Sequence, residues 1–336
     1  MPGLPKIQRK RSQHVASRAV ALPPERSLDE IQAEGLTWIH LDAPTQDEAE
    51  KLAKRFGWHE LDVEDIVSKR QRPKVDEHED EGYLFVILHF PAYDKKAQRM
   101  NVAELDVFVS NDYLVTITSR KLLPLTRLFS RCESDTSLRK KLFAKGPGRL
   151  LYEALDDLFG YCFPILDKIA YKLDEIEDDV FDGRSEEVVR DISNVKQEII
   201  SYRKIIKPER ATLRVLGRRA EVFLPQELED YFDDIVDAAE RIWDLLDNYK
   251  EVIEALESTN ELVLSHQFNY VLRILTVFSI IFLPATLIAS LWGMNVGLPG
   301  GGNPPESAQV AFWIIIAVSM AMIGGLLAYF HHKRWL

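Results

Sequence analysis

The stretch VLRILTVFSIIFLPATLIASLW, residues 271–292, has Arg273 as its only charged residue, and VAFWIIIAVSMAMIGGLLAYF, residues 310–330, has none. Each is long enough for a helix to cross the hydrocarbon core of a bilayer, which takes roughly 20 apolar residues. Core helices of soluble proteins seldom run this long without a charge. We therefore predict two transmembrane helices, and with them a chain that has a soluble part and a membrane part.

Charge flanking the two spans predicts their orientation. The segment 293–309 between them is rich in Gly and Pro and has no Lys or Arg, whereas the tail 331–336 reads HHKRWL. Positive charge beside a span favours the cytoplasmic side. The first twenty residues are basic but no apolar run follows them, so no signal peptide is expected. We predict a multi-pass protein of the cell (inner) membrane, embedded in the lipid bilayer, with both termini cytoplasmic.

The overall composition excludes several classes of function. A net charge of -11 is unsuited to nucleic acid, which binds clustered Lys and Arg. The acidic residues lie almost entirely before residue 262, and only Glu306 follows. Cys132 and Cys162 are isolated, so they predict reduced thiols without a disulfide or metal clip. The sequence has no GxSxG, P-loop or HExxH motif, and we predict neither an enzyme nor a covalently bound cofactor.

The hydroxyl residues of the first span share one helical face. Its four hydroxyl residues are spaced 3, 7 and 4 positions apart. The complete stripe consists of Asn269, Leu272, Thr276, Ser279, Leu283, Thr286 and Ser290. Such a stripe is either a Ser/Thr helix-packing face or the wall of a water-filled pore. One helix cannot enclose a pore, so the second interpretation requires several copies of the chain around an axis.

A long helix is expected to lead into the first span. Apolar residues recur every seven positions from Ile235 to Val263, and a second series lies three positions further on. The second series consists of Ala238, Leu245, Val252, Thr259 and His266. Nothing in the sequence breaks a helix between about Leu228 and Tyr270. If this helix continues through the first span to Trp292, it holds about 65 residues and reaches roughly 97 Å at 1.5 Å per residue.

The part before this helix predicts an α/β domain followed by a helical hairpin. Strand patterns cover 36–41, 83–90, 103–109 and 113–118, with a helix at 47–56 and a loop at 69–81. Two helical patterns follow at 150–181 and 185–218, with a turn at Gly183. The predicted division is a flexible N-terminal tail 1–30, a cytosolic α/β domain 31–148, a hairpin and connection 149–228, a stalk and first span 229–292, an outer loop 293–309, a second span 310–330 and a basic tail 331–336.

Gly293, Met294 and Asn295 follow the segment FLPAT at 282–286, just before the second span. In this position the tripeptide resembles the signature of the CorA superfamily of divalent metal cation transporters. The likeness extends to QRPKV at 71–75, to Tyr93 and Asp94, and to YFDD at 231–234. The resemblance implies a funnel-shaped homopentamer, with an α+β cytosolic domain and a long helical stalk. It also implies that the first span lines the pore and that the second packs outside it.

The resemblance also implies roles for individual residues. Gly293, Met294 and Asn295 would form the outer selectivity mouth, Asn269 an inner polar ring, and Leu272 and Leu283 apolar constrictions. Asp94 and Asp234 would bind a regulatory Mg²⁺ between neighbouring subunits, with Asp233 and Asp237 as possible substitutes. Ordinary surface carboxylates are the alternative for this group. The outer loop would keep one acidic residue, Glu306.

The resemblance favours gated Mg²⁺ uptake, with Co²⁺ or Ni²⁺ admitted and cytosolic Mg²⁺ as regulator. The outer loop, however, reads VGLPGGG at 296–302 instead of the acidic MPEL-like motif of the magnesium members. This run is similar to the zinc-transporting ZntB branch, so Zn²⁺ transport, possibly proton-coupled, is the second hypothesis. A non-transporting, metal-sensing membrane scaffold is the third.

Overall fold

The computed structural model describes residues 29–68, 71–94, 99–182, 185–223, 229–292 and 305–333. The strands within these residues are β1 Asp29–Ala33, β2 Leu36–Asp42, β3 Lys74–His78, β4 Tyr83–Asp94, β5 Arg99–Ser110 and β6 Tyr113–Thr118. The helices are α1 Gln46–Phe56, α2 Glu60–Val67, α3 Leu123–Ser134, α4 Thr136–Phe143, α5 Pro147–Asp182, α6 Ser185–Phe223, α7 Glu229–Trp292 and α8 Pro305–His332. The turn predicted at Gly183 and the mouth residues Gly293, Met294 and Asn295 lie outside the described residues.

The six strands form one sheet in the order β1-β2-β6-β5-β4-β3, in which only β2 and β6 are parallel. Both faces of the central strands are buried. In β4, Leu84 and Val86 belong to the core shared with the long helices, whereas Phe85 and Ile87 face the core under α1 and α2. This follows from the period-2 alternation of side chains along a strand, and it explains why β4 is apolar at almost every position.

The loop predicted over 69–81 is wrong for its middle part, because Lys74–His78 form β3 and pair antiparallel with β4. Its sequence, KVDEH, has four polar residues out of five, and all five are partly buried. Charged residues are typical of edge strands, where they discourage pairing with another sheet. A hydrophobic pattern alone cannot find such a strand.

The first half of α7 packs against α5 and α6 of its own chain. Along α7 the buried residues alternate at steps of three and four, as in Ile235, Ala239, Ile242 and Leu246. The predicted second series is therefore wrong by one position, since Leu245 is 37% exposed and its neighbour Leu246 is buried. This buried face of α7 is the one that packs against the hairpin of α5 and α6. The seven-residue repeat therefore reflects packing within the chain and is not evidence for contact between copies.

The second half of α7 and the described part of α8 expose most of their apolar side chains. Both contain an apolar segment long enough to cross a membrane, and only 11% and 0% of those segments are buried. Core helices of soluble proteins can have a similar composition, but the rest of the protein covers their apolar side chains. The exposed apolar side chains of α7 and α8 therefore identify them as two candidate membrane spans. The start of α8 at Pro305 corrects the predicted loop, because it places Glu306 in the first helical turn, where Pro and an acidic residue are both favourable.

The two cysteines are buried free thiols in the helical part of the core. Burial raises the pKa of Cys132 to about 11 and the pKa of Cys162 to about 12. Since the thiolate is the reactive form, both side chains are unreactive near neutral pH.

A buried carboxyl group joins α6 to the sheet. Glu209 is fully buried and follows Pro208 within α6. Its Oε1 accepts a hydrogen bond of 2.7 Å from the backbone N–H of His89 on β4. The pairing of β3 with β4 ends at Ile87, so Glu209 binds β4 just beyond the end of β3. Its Oε2 has no hydrogen-bond partner among the described residues. Burial raises the pKa of Glu209 well above its ordinary value.

Replacing Glu209 with glutamine is expected to make stability less dependent on pH. A carboxyl group with a raised pKa in the folded state stabilises fully below its ordinary pKa, and this contribution is lost as pH rises through the raised value. The glutamine oxygen keeps the hydrogen bond from His89 and carries no charge. The free energy of unfolding of Glu209→Gln relative to wild type should increase by on the order of 1–3 kcal/mol between about pH 5 and 8.

Thermal unfolding of the full chain in detergent, measured across pH, tests this expectation. Glu240→Gln is the matched control, because the hydrogen bond from Arg210 lowers the pKa of Glu240. The stability that comes from a lowered pKa is present above the ordinary pKa and is lost in acid, so the control should be destabilised at neutral pH and approach wild type at low pH. Parallel pH profiles for wild type and Glu209→Gln would contradict the expectation.

Candidate functional site

The polar stripe predicted on the first span is exposed along its whole length in the single chain. Each of its residues has an exposed side chain on α7, including the two apolar members Leu272 and Leu283, which are 42% and 68% exposed. The members are Asn269, Leu272, Thr276, Ser279, Leu283, Thr286 and Ser290. The structure thus places all seven on one helix with nothing from the described part of the chain covering them.

The partner of α7 within the chain lies on the other side of the helix. Val277 and Ile281 pack with Phe330 of α8, and Ile323 and Leu326 support them. At 3.6 residues per turn, the middle of the stripe lies roughly 150° around α7 from the middle of this contact. Packing against α8 therefore leaves the stripe free, and it excludes the interpretation of the stripe as the face that binds the second span.

Three of the stripe hydroxyls donate their hydrogen bonds to the helix itself. Thr276 Oγ1 donates to the carbonyl of Leu272 at 2.7 Å, Ser279 Oγ to that of Leu275 at 2.9 Å, and Thr286 Oγ1 to that of Phe282 at 2.8 Å. A hydroxyl has one donor hydrogen and two acceptor lone pairs. With the donor used, the exposed oxygen offers only its acceptor capacity outward. The stripe can accept hydrogen bonds from a bound hydrated species, but these three hydroxyls donate none to it.

Asp234 lies in a cluster of polar and aromatic groups at the start of α7. Its Oδ2 accepts a hydrogen bond of 3.3 Å from the hydroxyl of Tyr152 on α5. Burial, and then the charges of Asp156 and Asp234, raise the pKa of Tyr152 to about 12. Burial and the charge of Asp234 also raise the pKa of Asp156 above its ordinary value. The two carboxylates are therefore close enough to repel each other, which favours a cation beside them.

An arginine partly balances this negative cluster. The guanidinium of Arg149 lies 4.2 Å from the ring centroid of Tyr231 and 2.5 Å from the carboxylate of Glu153. The predicted substitutes Asp233 and Asp237 are exposed on α7. The sequence patterns do not predict roles for Tyr152, Asp156 and Arg149, since nothing in their spacing on α5 shows which part of α7 they contact.

Asp94 ends β4 at a different level of the molecule. Its neighbour Tyr93 is exposed in a groove that also includes Lys172 and Ile176 of α5. Asp234 contacts α5 at Tyr152, and the 20 residues from there to Lys172 correspond to about 30 Å of helix. Within one chain, Tyr93 at the end of β4 and Asp234 thus lie beside positions of α5 that are roughly 30 Å apart. Within the described residues, no group of three or more His, Cys, Asp or Glu side chains could hold a metal ion.

Comparisons with known proteins agree with this architecture. The chain is 26% identical over 301 residues to the cobalt/magnesium transport protein CorA of Thermotoga maritima, covering 89% of this chain and 83% of that protein. The structure of the CorA magnesium transporter from Methanocaldococcus jannaschii matches with a TM-score of 0.78 and 25% identity, over 92% of this chain and 95% of that one. Its soluble α/β domain, long helix and two C-terminal membrane helices correspond to those described above.

A second structural neighbour bears on the zinc alternative. The cytoplasmic domain of ZntB from Vibrio parahaemolyticus matches with a TM-score of 0.56 over 69% of this chain and 88% of that chain, at 17% identity. This likeness shows a shared fold alone. By contrast, the family model described as CorA-like Mg²⁺ transporter protein matches residues 33–334, and the chain therefore belongs to the CorA family.

Proposed function

We propose that this protein conducts hydrated divalent cations, chiefly Mg²⁺, through a pore that several copies of α7 enclose. Membership of the CorA family makes the chain a transporter of the Mg²⁺ and Co²⁺ class and not an enzyme. The observation that carries the finer proposal is the exposed stripe, which α8 leaves uncovered. A homopentamer, as the family resemblance implies, would turn five copies of this stripe toward one axis.

The chemistry of the stripe suits a cation that keeps its water. Mg²⁺ dehydrates reluctantly and usually retains several waters when it binds. The waters around a cation direct their hydrogens outward, so the wall must supply hydrogen-bond acceptors. The hydroxyl oxygens of Thr276, Ser279 and Thr286 do so, because their own hydrogens bond to the helix. Co²⁺ and Ni²⁺ are admitted as hydrated ions of similar size.

Selectivity and gating are assigned to the two ends and the apolar members of the stripe. Asn295, with Gly293 and Met294, forms the outer mouth, where amide oxygens accept hydrogen bonds from the hydrated ion. Asn269 repeats this chemistry at the inner end. Leu272 and Leu283 form apolar rings, which close a narrow pore by dewetting. Both termini are cytoplasmic in this arrangement, and the membrane potential drives cations inward at about 2.3 kcal/mol per charge per 100 mV.

Zn²⁺ transport remains the second candidate because of the outer loop at 296–302, which has no acidic residue. The stripe itself favours Mg²⁺, since it has no Cys or His, the ligands that would single out Zn²⁺. The likeness to ZntB in fold does not distinguish the two ions.

Ion flux into liposomes tests the proposed function. We expect the purified full chain to carry Mg²⁺, and Co²⁺ in competition with it, without dependence on a pH gradient. Empty liposomes and liposomes with heat-denatured protein are the controls. Zn²⁺ uptake that follows the proton gradient, with no Mg²⁺ flux, would overturn the proposal in favour of the zinc alternative. Absence of flux for all these ions would favour the non-transporting scaffold.

Regulation by cytosolic Mg²⁺ is proposed to act through Asp234. Because Asp234 contacts α5 at Tyr152, and Tyr93 shares a groove with Lys172 roughly 30 Å further along α5, a Mg²⁺ ion bound by both Asp94 and Asp234 would bridge two subunits. Binding of this kind ties neighbouring copies together and favours the closed state. The carboxylate of Asp156 next to Asp234 adds to the negative potential that attracts the ion.

Asp234→Ala is expected to raise, by about tenfold, the Mg²⁺ concentration needed to protect the closed protein from proteolysis. The reason is that the ion loses one charged ligand. Half-protection is read from limited proteolysis of the full chain across Mg²⁺ concentrations. Asp244→Ala, an exposed aspartate of the same helix, is the matched control. Asp94→Ala, made separately, should have the same effect as Asp234→Ala. If it behaves like Asp244→Ala, then Asp94 does not belong to the site.

A further inference from the structure

Arg273 is a cation at the edge of the membrane span whose charge nothing in the described chain balances. It is the only charged residue of 271–292. Its side chain is half-buried, and its guanidinium lies 5.2 Å from the ring centroid of Tyr270. Its Nε is buried and has no hydrogen-bond partner among the described residues. A guanidinium in this situation needs an anion or water.

The end of α8 brings further positive charge to the same level. Phe330 packs with Val277, which lies one helical turn, or about 6 Å, beyond Arg273. The residues that follow Phe330 directly are His331, His332 and Lys333, and all three are exposed. Together with Arg273 they form what we call the boundary patch, at the end of the membrane spans nearer the α/β domain.

No acidic residue of the chain is close to the boundary patch along α7 or α8. Glu261 precedes Arg273 by 12 residues, or about 18 Å of helix. Glu306 lies at the opposite end of α8. The patch thus has an excess of positive charge at the depth where the hydrocarbon meets the headgroups, and long basic side chains extend toward that level.

We propose that the boundary patch binds the headgroup of an anionic phospholipid. A phosphodiester matches the patch in charge, and the fork of a guanidinium binds two phosphate oxygens at once. Ile280 lies two helical turns further into the span on the same face of α7 as Arg273, and its exposed side chain suits an acyl chain of the same lipid. Basic pockets at the ends of membrane helices bind anionic headgroups for these reasons. The inference depends on the membrane assignment and not on ion conduction.

The purified full chain in detergent is titrated with phosphatidylglycerol or, as the neutral probe, phosphatidylcholine with the same acyl chains. Thermal unfolding measures stabilisation, and native mass spectrometry counts retained lipids. We expect phosphatidylglycerol to raise the unfolding temperature of the wild type. Arg273→Gln should need about tenfold more of this lipid for the same rise, because it loses one charge-assisted hydrogen bond to the headgroup. Arg273→Lys should retain most of the effect. Arg127→Gln, an exposed arginine on α3, is the matched control and should behave like wild type.

Four results would overturn the proposal: equal stabilisation by both lipids, an unchanged phosphatidylglycerol effect in Arg273→Gln, the same stabilisation by inorganic phosphate alone, or equal destabilisation of Arg273→Gln in both lipids. The third result indicates a general anion site, and the fourth indicates an ion pair with a neighbouring copy. If Arg273→Gln does not fold, Lys333→Gln replaces it, with a smaller loss expected and no loss counting against the proposal. Because no ion flux is measured, failure here is distinguishable from failure of the proposed function.

Discussion

Asn295→Ala is expected to abolish most Mg²⁺ flux in liposomes. In a pentameric mouth each copy would lose one hydrogen bond to the waters of the hydrated ion, worth about 0.5–1.5 kcal/mol. Five such losses at the low end of this range lower ion binding by about 60-fold, since about 1.4 kcal/mol is a factor of ten. Flux at low Mg²⁺ concentration should fall by on the order of 10- to 100-fold, because occupancy of the mouth then limits conduction.

The connecting segment offers a matched control for this change. Asn303→Ala removes the same amide eight residues further on, outside the mouth tripeptide, and should leave flux within about twofold of wild type. Equal amounts of folded protein in the liposomes are verified by thermal unfolding. If Asn295→Ala conducts Mg²⁺ as well as Asn303→Ala does, the assignment of Asn295 to the mouth fails, while conduction along the stripe of α7 stands.

Leu283→Asn is expected to open the pore. Leu283 is the most exposed apolar residue of the stripe, at 68%, and lies between Ser279 and Thr286. A ring of leucines at this level excludes water from a narrow pore, whereas a ring of amides admits it. The proposed regulation closes the wild type at high cytosolic Mg²⁺. Under that condition Mg²⁺ flux through Leu283→Asn should be about tenfold or more above wild type if the dewetted ring contributes at least about 1.4 kcal/mol to the barrier.

Leu327→Asn provides the corresponding change in the second span. Leu327 is 41% exposed on α8 and is outside the cluster formed with α7. It should not alter flux at high Mg²⁺, whatever its effect on stability in the membrane. If both variants leak equally, the membrane domain has been loosened as a whole. Unchanged flux in Leu283→Asn alone would remove Leu283 from the gate and leave Leu272 as the remaining apolar ring.

Local patterns in the sequence were enough for much of the architecture. The strand pattern at 113–118 coincides with β6, and the uninterrupted helix expected over 229–292 coincides with α7. These features depend on alternation, on the absence of charge and, up to Tyr270, on the absence of helix breakers; α7 then continues through Pro284. Each is a property of neighbouring residues, so no tertiary information is needed.

The sequence patterns failed where packing across the chain decides the structure. The edge strand β3 has almost no apolar residues and exists because β4 provides its hydrogen-bond partners. The buried face of α7 differs from the predicted one because α5 and α6 of the same chain select it. The surroundings of Asp234 were missed for the same reason, since Tyr152 precedes it by 82 residues.

The two apolar stretches and the polar stripe on the first of them were thus fixed by sequence alone, because helix period and hydropathy need only the order of residues along one helix. Only the tertiary structure decided that α8 packs on the opposite side and leaves the stripe open. It likewise decided that the stripe hydroxyls direct their acceptors outward and that Arg273 lacks a counter-charge among the described residues. These properties depend on distances between side chains and on which surfaces are covered by neighbouring elements. Both are set by the fold and cannot be read from the order of residues alone.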